Sequence, residues 1–236
     1  GVGESVRDSG YQPIRRLRLW TSAGSCVESS MQQRLDLPAI GLSRARFDPI
    51  LVQRAAEVGA VVMENVEVVE LVEHDGSVIG VQARPIAGQS GSRSVQTLSA
   101  RVIVAADGRR SAVVRASGHT TRSRRSGSRD VCAVKRHYHV AGPNAAGDAI
   151  ELQSFPGGYG GICCVESGIV NLCTLLPISL LRRSRGRIER ALRAVMKRNR
   201  LADFFDNAEP LGDWKTIPEV QVQRSSPRLA GVLYAG

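Results

Sequence analysis

Apolar and polar residues alternate through residues 14–20, IRRLRLW, the pattern of a strand with one face buried and the other in water. A second short strand is expected near residues 26–31. From residue 46 the period changes: Phe47, Ile50, Leu51, Ala55 and Val58 recur at helical spacing, and Gly59 supplies a C-terminal stop. This is the clearest helix in the chain. Residues 61–63 then read as a strand, and residues 66–72 as another that leads through His74-Asp75-Gly76 into residues 78–83. Asp-Gly between two alternating runs predicts a hairpin, and a third run at 94–98 completes a small meander. Residues 102–106, VIVAA, are apolar at every position, which predicts a strand inside a parallel sheet with a layer on each side.

Beyond residue 118 the composition shifts to Arg, Ser and Gly, read as a crossing between two domains. Four strand-like runs follow, 131–140, 149–155, 161–166 and 169–176, and Ser167-Gly168 joins the last two as a tight turn. An antiparallel sheet is expected there. Residues 185–200 predict a second long helix, with Leu192 and Val195 on a buried face among arginines. Pro210 and Pro218 punctuate the return to a final apolar strand at 231–236, GVLYAG.

With 236 residues, 42% of them hydrophobic, the chain has material for a real core. No apolar run approaches the roughly 20 residues that cross a bilayer, and no signal-peptide pattern opens the chain, so a cytoplasmic protein is expected. Five cysteines form no CxxC pair, and three lie in apolar runs where cysteine acts as a small hydrophobe. Cys163 and Cys164, adjacent on a strand, point to opposite faces and cannot act as a redox pair without strain. The balance of 32 basic to 22 acidic residues raises a nucleic-acid partner, but the excess gathers in a solvated loop at 122–129 and on the helix near 182–200. Aromatics make up only 4%, too few for a base-stacking platform, so no nucleic acid is expected. His137 and His139 share a strand face without a third ligand at suitable spacing, and no metal is expected. Ser111 lies in no Gly-x-Ser-x-Gly elbow, which excludes the hydrolase reading.

The chemistry concentrates in three places. Residues 102–118 form an apolar strand, an Asp107-Gly108 turn and a run of small residues, an arrangement that brings a carboxylate and bare main chain against a ligand. Residues 41–51, GLSRARFDPIL, put Arg44 at the head of the predicted helix, where unpaired amides and a guanidinium favour an anion. Asp48 reads as an acid complementing the helix dipole. Residues 155–161, FPGGYGG, offer glycines that permit close approach to a flat ring and Tyr159 with an apolar face and a hydroxyl.

In this order and spacing, residues 10–236 resemble the FAD-dependent hydroxylases of the p-hydroxybenzoate hydroxylase type and the geranylgeranyl reductases related to them. The resemblance implies that Asp107 and Gly108 approach the pyrophosphate and ribose of FAD, that Arg44 reaches its phosphate-ribose region, that the backbone of Val68 lies near the adenine, and that Tyr159 lines the substrate side. It departs at two points. The family's Asp-Gly motif has an arginine seven positions after the Asp, whereas here position 114 is Val and the arginine is Arg115. The reductases' Tyr-x-Trp-x-Phe-Pro signature lacks its Trp and Phe-Pro here, which weighs against a prenyl substrate.

The implied fold is mixed α/β, part of an FAD-binding Rossmann-like domain interleaved with an antiparallel substrate sheet. Residues 1–40 would supply N-terminal strands on the substrate side, 41–119 part of the FAD-binding domain, 120–220 the sheet with its helix, and 221–236 a return strand. The implied function is an FAD-dependent oxidoreductase, hydroxylating or reducing a small hydrophobic or aromatic substrate, with NAD(P)H a candidate electron donor. The alternative is a non-catalytic remnant or basic interaction module that binds no flavin. The family's Gly-x-Gly-x-x-Gly turn would precede Gly1 and the Asp of its Gly-Asp motif would follow Gly236, so an internal piece of a longer protein is expected, binding FAD weakly if alone. The resemblance singles out no acid-base catalytic residue, because a flavin carries such chemistry itself.

Overall fold

Long alternating runs in the second half of the chain pair into one large sheet, and shorter runs around the Asp-Gly hairpin pair into small ones. The computed structural model describes residues 1–31, 39–86, 94–108, 111–117, 131–140, 147–196, 204–218, 220 and 229–235. The fold is mixed α/β, and the chain divides into two compact units: Gly1–Ala60 with Gly127–Val220, and Val61–Ser126 with Gln221–Gly236.

The first unit opens with helix α1 (Gly3–Arg7), β1 (Gln12–Ile14), β2 (Arg16–Trp20), β3 (Cys26–Ser30), β4 (Ala39–Gly41) and α2 (Arg44–Glu57). It resumes with β9 (Val131–Val140), β10 (Ala149–Phe155), β11 (Gly158–Cys164), a 3-10 turn at Glu166–Gly168, β12 (Val170–Pro177), α4 (Ile178–Arg183), α5 (Ile188–Met196) and β13 (Ala208–Ile217). Seven of these strands form one sheet in the order β13-β9-β12-β11-β10-β2-β3, antiparallel except where β10 runs parallel to β2. Strand alternation sends Cys132, Val134, Tyr138, Phe155, Ile162, Cys164, Val170, Leu172 and Leu176 to one face, where Leu180, Ala191, Leu192, Met196, Phe204 and Phe205 close the core over them. Arg18 reaches across the parallel pair to Glu151, whose side chain is buried, at 3.0 Å.

The second unit holds β5 (Val66–His74), β6 (Ser77–Pro85), β7 (Gln96–Ser99), β8 (Ile103–Ala105), α3 (Ala112–Ala116) and β14 (Val232–Tyr234). β5, β6 and β7 form the expected meander, with Asp75 (φ 46°) and Gly76 (φ 74°) in the left-handed geometry of a tight hairpin turn. β8 and β14 pair in parallel, Val232 opposite Ile103 and Tyr234 opposite Ala105. Gly231 at φ 83° lies against Val78, whose carbonyl oxygen would stand 2.1 Å from an added Cβ, so only glycine lets β14 run in beside β6. Leu71, Val78, Ala105, Val113 and Val232 form this unit's small core.

Several expectations need correction. Residues 61–63 are not a strand; no ladder partner lies beside them among the described residues, and Val61 is exposed. β8 is parallel as expected; among the described residues one of its faces is covered, while Val104 and its neighbour Leu233 on the other are 58% and 61% exposed. The expected helix at 185–200 begins later, at Ile188, because Arg185 (φ 52°) and Gly186 (φ 73°) turn the chain between α4 and α5; residues 197–200 lie outside the described residues. β13 was not expected; Pro210 sits within it because an edge strand needs no donor on its open side. Helix α2 lies in the first unit. The Ser/Arg loop at 122–129 lies outside the described residues. No helix among the described residues is long and apolar enough to cross a membrane.

Candidate functional site

At the carboxyl end of the β8–β14 pair the chain leaves the sheet through Asp107 and Gly108, both exposed. Asp107 Oδ2 accepts from the amides of Ala112 at 2.6 Å and Val113 at 3.3 Å, and Ser111 Oγ accepts from the amide of Val114 at 3.0 Å. Carboxylate and hydroxyl thus share the capping of α3, satisfying amides that the helix leaves unpaired. Burial opposes ionisation of Asp107, but bonds from the Ser111 side chain and from those amides prevail and hold its carboxyl below the ordinary range. Gly108 adopts φ 71°, and nothing lies within 4 Å of where a Cβ would be. In α/β sheets ligands collect at the carboxyl ends of parallel strands, and this end offers a carboxylate acceptor and main chain open to close approach, a set that fits the ribose hydroxyls of a dinucleotide. Val68, half-buried on β5, pairs with Ala83 beside an irregularity in the ladder, and α3 packs on β5. Arg115 is exposed in the last turn of α3.

In the first unit, Arg44 begins α2 and is 78% exposed, its guanidinium paired with Asp48 one turn on. Asp48 therefore answers an arginine as well as a dipole. At this helix end the Arg46 amide is capped from within the chain. Ser43 is the N-cap, its hydroxyl accepting from the Arg46 amide at 3.3 Å. The anion beside it is the chain's own: the amide of Ser43 donates to Glu166 Oε2 at 2.8 Å and its hydroxyl to Oε1 at 2.5 Å. Arg46 adds its Nε at 3.9 Å. Burial works against the charge on Glu166, yet the bonds from Ser43 outweigh it and its carboxyl titrates below the ordinary range. Glu166 escaped sequence reasoning, though one signal was available: a lone acid between two apolar strand runs.

Tyr159, on β11, is 52% exposed and pairs with Ser154 and Leu175. It stands on the sheet face opposite α4 and α5, as do Cys163, Asn171, Lys135 and His137 by register. His137 faces Asn171 across β9 and β12, and His137 Nε2 and Asn171 Oδ1 are buried with no hydrogen-bond partner among the described residues. Burial, aided by the Lys135 charge, pushes the imidazole down. Among the described residues no three potential ligands gather to hold a metal ion. Of the residues singled out in the sequence, Val68, Asp107 and Gly108 lie in the second unit, and Arg44 and Tyr159 in the first.

Residues 14–221 match the family described as FAD binding domain. The chain is 28% identical over 169 residues to digeranylgeranylglycerophospholipid reductase 2 of Methanothermobacter thermautotrophicus, covering 67% of this chain and 41% of the relative. Among solved structures, the myxobacterial chondrochloren halogenase, described as a variant of FAD-dependent halogenases, superposes with a TM-score of 0.82 at 19% identity over 100% of this chain and 55% of its own. A geranylgeranyl bacteriochlorophyll reductase-like protein from Thermoplasma acidophilum gives 0.71 at 18%, over 100% and 58%. The chain thus spans about two fifths of that curated relative and somewhat over half of these structures.

Proposed function

The chain belongs to the FAD binding domain family, and from that premise we propose that the protein is an FAD-dependent oxidoreductase acting on a small hydrophobic or aromatic substrate, either as a hydroxylase-type monooxygenase or as a flavin-dependent reductase. The observation that carries this reading is the exposed Asp107-Gly108 turn at the carboxyl end of a parallel strand pair. Asp107 and Gly108 would meet the pyrophosphate and ribose, the main chain of Val68 the adenine, and Arg44 the phosphate-ribose region. Residues 41–119 and 221–236 would hold the nucleotide, and residues 1–40 and 120–220 the substrate side. The chemistry that FAD supplies when bound is redox, either oxygen activation for hydroxylation or hydride delivery to a double bond, with NAD(P)H as the proposed donor of electrons. The chain's own part is to bind and orient. Asp107, already ionised and anchored by α3, presents an acceptor that costs no rearrangement. Tyr159 presents a half-open ring face and a hydroxyl to the substrate.

Titration of the full-length protein with FAD, followed by quenching of flavin fluorescence, is expected to saturate. Asp107→Ala should weaken binding about tenfold, whereas Ser111→Ala, which removes a cap but no carboxylate, should change it far less. Oxygen uptake coupled to NAD(P)H oxidation would mark a monooxygenase, and anaerobic loss of a substrate double bond a reductase. Absence of saturable binding would sink the reading in favour of a non-catalytic remnant or basic interaction module.

A further inference from the structure

We propose that Glu166 is a positioning residue for the flavin site: by gripping the amide and hydroxyl of Ser43 it fixes the first turn of α2 on the β11–β12 corner and so sets where Arg44 is presented. The inference rests on the reading of Arg44 as a flavin-contacting residue.

Contacts of two kinds join the helix to that corner. The first is steric. A Cβ at Gly41 would lie 1.9 Å from the carbonyl oxygen of Cys164, so the end of β4 rests directly on the end of β11 and only a glycine fits. The second is the carboxylate, two residues further along each segment. Glu166 is 7% exposed and sits in a turn whose Ser167 (φ 60°) and Gly168 (φ 71°) bring the chain sharply round. Both its oxygens accept from Ser43, and Oε1 also faces Arg46 Nε at 3.9 Å. An ionised carboxylate only accepts, so the Ser43 hydroxyl must turn its proton toward Glu166 and its lone pairs toward the Arg46 amide. The charge at position 166 thereby dictates the orientation of the cap, and the cap dictates the direction in which the helix starts. Arg44 is the first residue after that cap, and its side chain is otherwise held only by Asp48 of its own helix among the described residues. Because β11 also carries Tyr159, one carboxylate ties the strand of the candidate substrate residue to the helix of the candidate flavin residue. Neither Ser43 nor Glu166 needs to touch the cofactor for this.

A double-mutant cycle tests the proposal on the full-length protein, with the FAD dissociation constant as the readout. Glu166→Gln keeps the size of the side chain but replaces one acceptor by a donor; it should raise the constant about 5-fold. In an Arg44→Ala background the same change should have almost no effect, because the residue through which Glu166 acts is gone. Hydrogen exchange at the amides of residues 44–47 should quicken in Glu166→Gln whether or not FAD is present. Should Glu166→Gln fold poorly, Ser43→Ala removes the hydroxyl half of the grip and takes its place in the cycle. If Arg44→Ala weakens FAD binding while Glu166→Gln does not, or if the two effects simply add, the positioning role is wrong and the flavin reading of Arg44 survives. If Arg44→Ala leaves FAD binding unchanged, that reading falls and this inference falls with it.

Discussion

Asp107 and Glu166 do the same physical work in different places: each is a carboxylate whose charge is stabilised by amides and a serine at the start of a helix. Both are held ionised below the usual range, so the folded state binds protons less readily than the unfolded chain at these positions. Their contribution is therefore fully present above the unfolded carboxylate range and is lost as pH falls through it and into the lowered folded values. Arg46 beside Glu166 favours its ionised form, and the Glu166 charge in turn opposes the burial that pushes the His137 imidazole down. Urea midpoints measured from pH 7 to pH 3 should drop steeply across the carboxylate range, and Asp107→Asn or Glu166→Gln should each flatten that drop. An unchanged profile in either variant would mean that its carboxylate does not stabilise the fold.

Elements meet where side chains are missing. The crossing of β4 over the end of β11 depends on the absence of a Cβ at Gly41, since the atom it would strike is a backbone oxygen that cannot swing aside. Gly41→Ala is expected to cost about 2 kcal/mol or more in chemical denaturation, and to loosen Ser43 from Glu166 in the same step. Strong periodicity made most elements readable: the alternation in 131–140 and 149–155 gave β9 and β10 to the residue, and the Asp-Gly signal located the β5–β6 hairpin. Residues 61–63 misled because three apolar residues satisfy a strand pattern without specifying a partner to bond to. β13 was hidden by Pro210, whose penalty vanishes at a sheet edge that no sequence pattern announces. In the candidate site, Asp107 and Gly108 were legible because strand, acid and glycine are adjacent in the chain. Glu166 was not, because its partner Ser43 lies 123 positions away and long-range pairing leaves no local trace.

At the scale of the molecule, the two units differ in the means of their stability. The first closes a large sheet under helices with aromatic contacts among Tyr138, Phe204, Phe205 and Trp214, while the second, among the described residues, has a core cluster of only five buried apolar residues and leaves Val104 of β8 exposed. Both tryptophans of the chain, Trp20 and Trp214, belong to the first unit. Tryptophan fluorescence should therefore report the first unit only, and far-UV circular dichroism both; the dichroism transition is expected to begin at lower urea than the fluorescence one. Coincident curves would show that the chain unfolds as one cooperative body. The pairing of β14 with β8, and the seat of Gly231 against Val78, carries a further consequence for how the protein is made. Emerging from the ribosome, β8 must wait for the whole of residues 127–220 to be translated before its neighbour arrives. Until then the side of β8 that β14 will occupy stands unsealed, and chaperone capture or premature self-association can strike there.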